Sequence, residues 1–147
     1  MDELNQQLLA RLSDAAAQAP VPLEIPPRIF SYLGGHFTAF DEAASTLTAR
    51  FPVRAEYRNP IGFMQGGMLV AAIDNTMGPL CFLCGFLGVS TQINTTYVRP
   101  VTPEEEWVEV EARIVERTQT LAQVHAVARN GAGKTVVLCQ GTFALPK

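Results

Sequence analysis

The sequence predicts an α+β domain in which an antiparallel sheet wraps around one long central helix. Three observations lead there. The run NPIGFMQGGMLVAAIDNTMGPL, Asn59 to Leu80, has Met, Leu and Ala at helix-favouring positions and is apolar on nearly every side. A helix without a polar face needs other structure around it. About four β-like runs then follow one another with no helix between them, which points to antiparallel pairing. Finally, 147 residues of which 48% are hydrophobic suit one globular domain with a sizeable core and leave little room for a second.

Taken in order, Leu4, Leu8, Leu9 and Leu12 recur at helical spacing and predict a short amphipathic helix, ended by Pro20. The proline-rich PVPLEIPPR that follows reads as an extended linker. Residues 1–30 are therefore expected to form an N-terminal helix and linker, and residues 31–147 the main domain. From His36 to Val53 the chain is rich in Thr, Phe and Val with a polar break at Asp41-Glu42, which predicts two short strands and a turn. The central helix should open near Gly66-Gly67 and be kinked or ended by Pro79, which lacks a backbone donor. STQINTTYVRP reads as a strand stopped by Pro100. In WVEVEARIVE the apolar and charged residues alternate, the period of a strand with one wet face. TLAQVHAVAR and KTVVLCQGTFAL flank NGAG, a hairpin signal.

Composition narrows the function. A net charge of −3 without a run of Lys or Arg gives no footprint for nucleic acid or an anionic membrane. Asp2 and Glu3 stand where a secretory signal would be positive, and three cysteines form no disulfide framework, so a cytoplasmic protein is expected. The stretch from Gly66 to Val89 approaches the length of a membrane span, but Asp74-Asn75 near its middle and Gly78-Pro79 argue against one. Cys81 and Cys84 lack a second ligand pair and read as core. His36 and His125 are isolated on strands and read as structural. Met64, Met68 and Met77 fill core or line a pocket. Arg58 and Arg99 are surface arginines by default, within possible reach of a phosphate.

One acid stands out. From Asn59 to Val98, Asp74 is the only charged residue. A carboxylate in apolar company is either satisfied by backbone donors or placed for chemistry, because burying the ion unpaired is costly. Upstream, Gly66-Gly67 at a helix start leaves backbone N–H groups unpaired at the positive end of the helix dipole, with no side chain in the way. Such donors and a general base are what acyl transfer requires. Gly66 and Asp74 are eight residues apart, roughly 12 Å along one helix, so they cannot serve one carbonyl carbon from the same chain. Cooperation would need a second copy, with two such helices antiparallel across a two-fold axis.

At these residues the sequence resembles the hotdog-fold acyl-CoA thioesterases of the phenylacetate-pathway (PaaI-like) type. That pattern has an asparagine, a short loop, His-Gly-Gly opening a central helix, and an aspartate eight residues after the first glycine. Asn59, Gln65-Gly66-Gly67 and Asp74 keep the order and spacing, and Ser90, Asn94, Tyr97 and Pro100 match the strand that follows. The resemblance covers roughly residues 36–145. It implies a hotdog fold and a homodimer or tetramer that hydrolyses an acyl-CoA or acyl-carrier thioester. It implies no metal and no cofactor, CoA being part of the substrate. Gly66 N–H would polarise the carbonyl and Asn59 would position the reacting group. Asp74 of the opposite subunit would act as general base or nucleophile, and Ser90 would hold the water or the carboxylate. Gly67 and Met68 would complete the substrate site. Gln65 replaces the usual histidine; it can donate a hydrogen bond but cannot take up a proton. That departure motivates the alternative of a non-catalytic acyl-CoA-binding hotdog protein. A DNA-binding regulator is disfavoured, since the first 35 residues hold one helix and no basic one.

Overall fold

The computed structural model describes residues 2–145. Helix α1 (Asp2–Ala17) is followed by a short α2 (Arg28–Tyr32), then strands β1 (His36–Asp41) and β2 (Thr46–Pro52). A single 3-10 turn (Ala55–Tyr57) leads to the long helix α3 (Gly66–Leu83). Strands β3 (Val89–Tyr97), β4 (Trp107–Arg117), β5 (Leu121–Arg129) and β6 (Thr135–Ala144) complete the chain. The linker is non-helical up to Pro27; α2, which the prolines obscured, begins one residue later.

All six strands join one antiparallel sheet in the order β1-β2-β4-β5-β6-β3. Although β3 precedes β4 in sequence, β2 occupies the side of β4 that β5 leaves free, from Thr46↔Arg113 to Pro52↔Trp107. β3 therefore pairs at the other end, with β6, and is left as an edge strand. The alternation in β4 is borne out: Val108, Val110 and Ala112 are buried. On the opposite face, Glu109 accepts from Arg50 at 3.0 Å, and that guanidinium also lies 3.8 Å above the Trp107 ring.

Helix α3 lies across the sheet, packed most heavily on β4 and then β2, and buries Leu69, Ala72, Ile73, Thr76, Met77, Leu80, Cys81 and Leu83. β6 passes close beneath it at Gly141, where a Cβ would stand 2.9 Å from the Met77 sulfur. Two expectations change here. The helix is not wrapped on every side: Gly66, Gly67, Val70, Ala71, Asp74, Asn75 and Gly78 keep partial or full exposure. Nor does Pro79 end it, since α3 runs on to Leu83. An internal proline costs about 3 kcal/mol, whereas burying Leu80 and Leu83 contributes about 1.5–3 kcal/mol each, so packing of the last turn wins. α3 is also long and apolar enough to cross a membrane by composition, with mean hydropathy 1.2, but its covered face is core of this sheet.

The N-terminal helix belongs to the same core. Leu8 and Leu12 are buried against the cluster that contains Leu33, Phe37 and Leu80. The Asn5 side-chain oxygen accepts from the Phe37 N–H at 2.8 Å, tying α1 to β1. Phe30 of α2 stacks on Phe37 at 4.8 Å between ring centres. Replacing Leu12 with alanine should lower the unfolding free energy by about 2–5 kcal/mol, the range for a buried leucine. Urea denaturation checks this; a loss under about 0.5 kcal/mol would show that α1 is an independent appendage.

Candidate active site

The segment between the 3-10 turn and α3 is organised by Asn59. Its side-chain oxygen accepts from the N–H groups of Ile61 and Phe63, both at 3.0 Å, while its backbone N–H donates to the Phe63 carbonyl at 2.7 Å. Two backbone donors fix which end of the amide is oxygen. The Nδ2 group is therefore directed away from the loop as a donor. Gly62, at φ +98°, makes the tight return that this loop needs.

The loop delivers the chain to the start of α3. Gln65 is the N-cap residue but makes no side-chain cap. The N–H groups of Gly66 and Gly67, first in the helix, thus have neither an intrahelical acceptor nor a cap from Gln65. Tyr97 lies over Gly66: a Cβ there would stand 2.8 Å from the end of the Tyr97 ring and its hydroxyl, so a larger residue would have to displace that side chain. Asn59 and Gly66 line one cleft with Phe63, Leu69, Tyr97 and Arg99. Its polar groups are mainly donors, the chemistry of an oxyanion site.

Asp74 lies elsewhere. It lines a second cleft with Asn75, Gly78 and Ser90, and neither Asn59 nor Gly66 reaches it. Burial pushes the Asp74 carboxyl above the usual aspartate range, and the neighbouring Ser90 hydroxyl draws it partly back. Asp74 and Ser90 thus face the same cleft. The donor end and the acid end of the predicted site are separate within one chain, as eight residues of helix require.

Among the other expected residues, Met68 packs partly buried against the core, and Gly67 is exposed under the Gln65 carboxamide, whose oxygen would lie 3.2 Å from a Cβ there. Gln65 itself is exposed. Arg99 donates to the Thr135 carbonyl at 2.8 Å while lining the donor cleft, and Arg58 is exposed. Cys81 is buried and its thiol is pushed up to about 12, chiefly by burial; Cys84 is raised for the same reason. Neither is a ready nucleophile at neutral pH. Among the described residues no group of three or more His, Cys, Asp and Glu stands together as a metal site. Tyr97, which covers Gly66, was visible in the sequence only as a strand-end aromatic; its proximity to Gly66 is a tertiary contact.

The sheet around α3, with an extra N-terminal helix, is the hotdog fold, and within that fold the chain is of the thioester-hydrolase class. More particularly, the chain belongs to the thioesterase superfamily, whose family model matches residues 61–137. The human acyl-coenzyme A thioesterase 13 is 33% identical over 97 residues, 65% of this chain and 69% of that protein. The phenylacetic acid degradation-related protein of Ralstonia eutropha superposes with a TM-score of 0.77 at 25% identity, covering 93% of this chain and 98% of its own. The PaaI protein of the Escherichia coli phenylacetic acid degradation operon shares the fold with a TM-score of 0.80 at 16% identity, over 97% of this chain and 96% of its own. The PaaI-like expectation therefore holds for the fold, and the likeness reaches beyond residues 36–145 to take in most of the N-terminal segment.

Two predictions follow from the geometry. Asn59→Asp keeps the oxygen that organises the loop but replaces the donor with a negative charge, so the fold should persist while thioester hydrolysis falls about 10²–10³-fold. Steady-state rates with a melting curve on the same sample check it. For Asp74 the native pKa is raised, so the native state holds a proton that the unfolded chain has already released. Its contribution to stability is present below the unfolded pKa and is lost as pH rises towards the folded one. Asp74→Asn should thus melt higher than wild type at pH 7 and be inactive, with the gap closing below about pH 4. An equal gap at both pH values would remove the desolvation argument.

Proposed function

We propose that the protein is an acyl-CoA thioesterase of the PaaI-like type, acting as a homodimer with composite sites. The observation that carries this reading is the split of the site: donors in one cleft, acid in another, on a helix too long to join them. Two copies with antiparallel α3 helices would set the Asn59 and Gly66 of one beside the Asp74 and Ser90 of the other. The uncovered face of α3 and the unpaired edge of β3 support such a pairing. So do the exposed apolar side chains nearby, Val89 at 62% and Tyr97 at 52% exposure. The name of the human relative supports CoA as the thiol.

In this arrangement the thioester oxygen lies against the Gly66 N–H and the Asn59 amide, which favour the negative charge that develops there. Asp74 of the other subunit takes a proton from water as the water oxygen bonds to the carbonyl carbon. When the carbon–sulfur bond breaks, that proton passes to the departing thiolate, leaving a free acid, a thiol and the regenerated carboxylate. Ser90 orients the carboxylate. Gln65 contributes hydrogen bonding at the rim, and no metal or redox group is required. The proposed location is the cytoplasm.

The test is complementation. Asn59→Asp and Asp74→Asn dimers should each be nearly inactive in releasing CoA. After co-refolding with random pairing, half the dimers are mixed and one of the two sites in each is intact. About a quarter of wild-type activity should return. Confirmed mixing without recovery would place Asp74 in service of its own chain. Binding without turnover across an acyl-CoA panel would favour the non-catalytic binder that Gln65 suggests.

A further inference from the structure

Beside the Asp74 cleft lies a hollow that the site described above does not use. It has a volume of about 240 Å³ and is walled by α1 through Leu9 and Leu12, by the linker through Leu23, and by Phe82 of α3. Protein interiors are packed with few voids larger than a water molecule. An open hollow walled almost entirely by apolar side chains has the lining of a ligand site, although its volume falls just below the usual range of about 300–1,000 Å³. It adjoins the acid cleft, with Pro27, Gly78, Pro79 and Gly88 lining both. Gly78 stands one helical turn beyond Asp74 on the same face of α3, and a Cβ there would meet nothing within 4 Å.

Resting on the thioesterase reading, we infer that this hollow holds the acyl group of the substrate, and that the group is an unbranched apolar chain of medium length. The volume admits about eight water-sized groups at roughly 30 Å³ each. The walls supply no partner for a charge. The one ionised group lining the hollow is Glu24, whose carboxylate accepts from Arg28 at 3.1 Å. With that charge already balanced by Arg28, nothing lining the hollow offers a cation to a carboxylate at the far end of an acyl chain, and burying such an end unpaired is costly. The subunit that contributes Asp74 therefore also selects the acyl group. The wall that does so is built largely from the N-terminal segment, outside the residues that match the thioesterase family.

The experiment uses the full-length protein, a series of straight-chain acyl-CoAs, and hydrolysis-resistant alkyl thioethers of CoA for equilibrium binding. In the wild type, kcat/KM should rise about fourfold per methylene from acetyl to about octanoyl and then level off. Adipoyl-CoA, with its terminal carboxylate, should fall at least tenfold below hexanoyl-CoA. Leu9→Trp enlarges a side chain that lines the hollow but not the Asp74 cleft; it should keep acetyl-CoA hydrolysis while losing the gain from longer chains. Leu23→Ala enlarges the hollow and should move the optimum to longer chains. If Leu9→Trp loses acetyl-CoA hydrolysis or fails to fold, Leu23→Ala decides: a shift supports the assignment, and an unchanged profile overturns it. Equal rates for acetyl and octanoyl in the wild type, with equal affinities for the ethyl and octyl thioethers, would overturn the acyl pocket and leave the thioesterase standing. Absence of CoA release from every thioester would sink the thioesterase reading. Tighter binding of the octyl thioether, abolished by Leu9→Trp, would even then uphold the hollow as the acyl site.

Discussion

Helix α3 carries more apolar surface than the sheet of its own chain covers, and the organisation of the protein follows from how that surface is divided. One face, through Leu69, Ile73, Met77 and Leu80, is driven into the sheet by the ordinary gain of removing aliphatic groups from water. Gly141 on β6 lets the helix approach closely enough for Met77 to be fully buried. The opposite face keeps small residues and one acid. A bulky apolar face there would compete for burial with the first; instead Gly66 makes room for the Tyr97 ring, and Gly78 leaves its position open. The same helix is thus the centre of the core and the floor of the site.

The electrostatics obey the same division. Asp74 sits where burial raises its proton affinity while Ser90 still supports the ionised form. That combination brings a carboxylate closer to the proton affinity a base needs near neutral pH without making it inert. At the other end of the face, backbone donors of the first turn and the Asn59 amide present partial positive charge with no counter-ion nearby. Keeping the two ends on one helix holds them apart by about two turns, so neither neutralises the other. In the proposed dimer the two-fold axis would bring them together only across the interface, around a substrate carbonyl.

The first thirty residues take part in the fold in a way their composition understates. Leu8 and Leu12 close the main core, and Asn5 secures β1 through the Phe37 N–H. The helix does not seal the space between itself and the last turns of α3, because the proline linker spans that gap rather than filling it. A tightly packed N-terminal helix would stabilise the fold further, but it would remove the hollow next to Asp74.

Much of this could be read from the order of residues. Alternation in β4, the NGAG turn between β5 and β6, and the apolar run with one acid each have a local cause, in pleat, turn chemistry or helix period. They fixed the strands, the central helix and the expectation of an α+β class. The motif of Asn59, Gly66, Gly67 and Asp74 was legible as spacing, and that spacing ruled out a site within one helix. Other features had no local signal. A proline at 79 predicts a kink or an end to α3, yet the helix runs on to Leu83, because burying Leu80 and Leu83 in the core outweighs the lost hydrogen bond. The placement of β3 at the edge depended on β2 taking the free side of β4, which is a competition between strands far apart in sequence. The amide orientation of Asn59, the cover of Tyr97 over Gly66, and the hollow between α1 and α3 likewise arise where segments meet. A sequence specifies which residues can form a helix or a strand through interactions a few residues long; which surfaces then remain open is decided only when all segments compete for burial in the same volume.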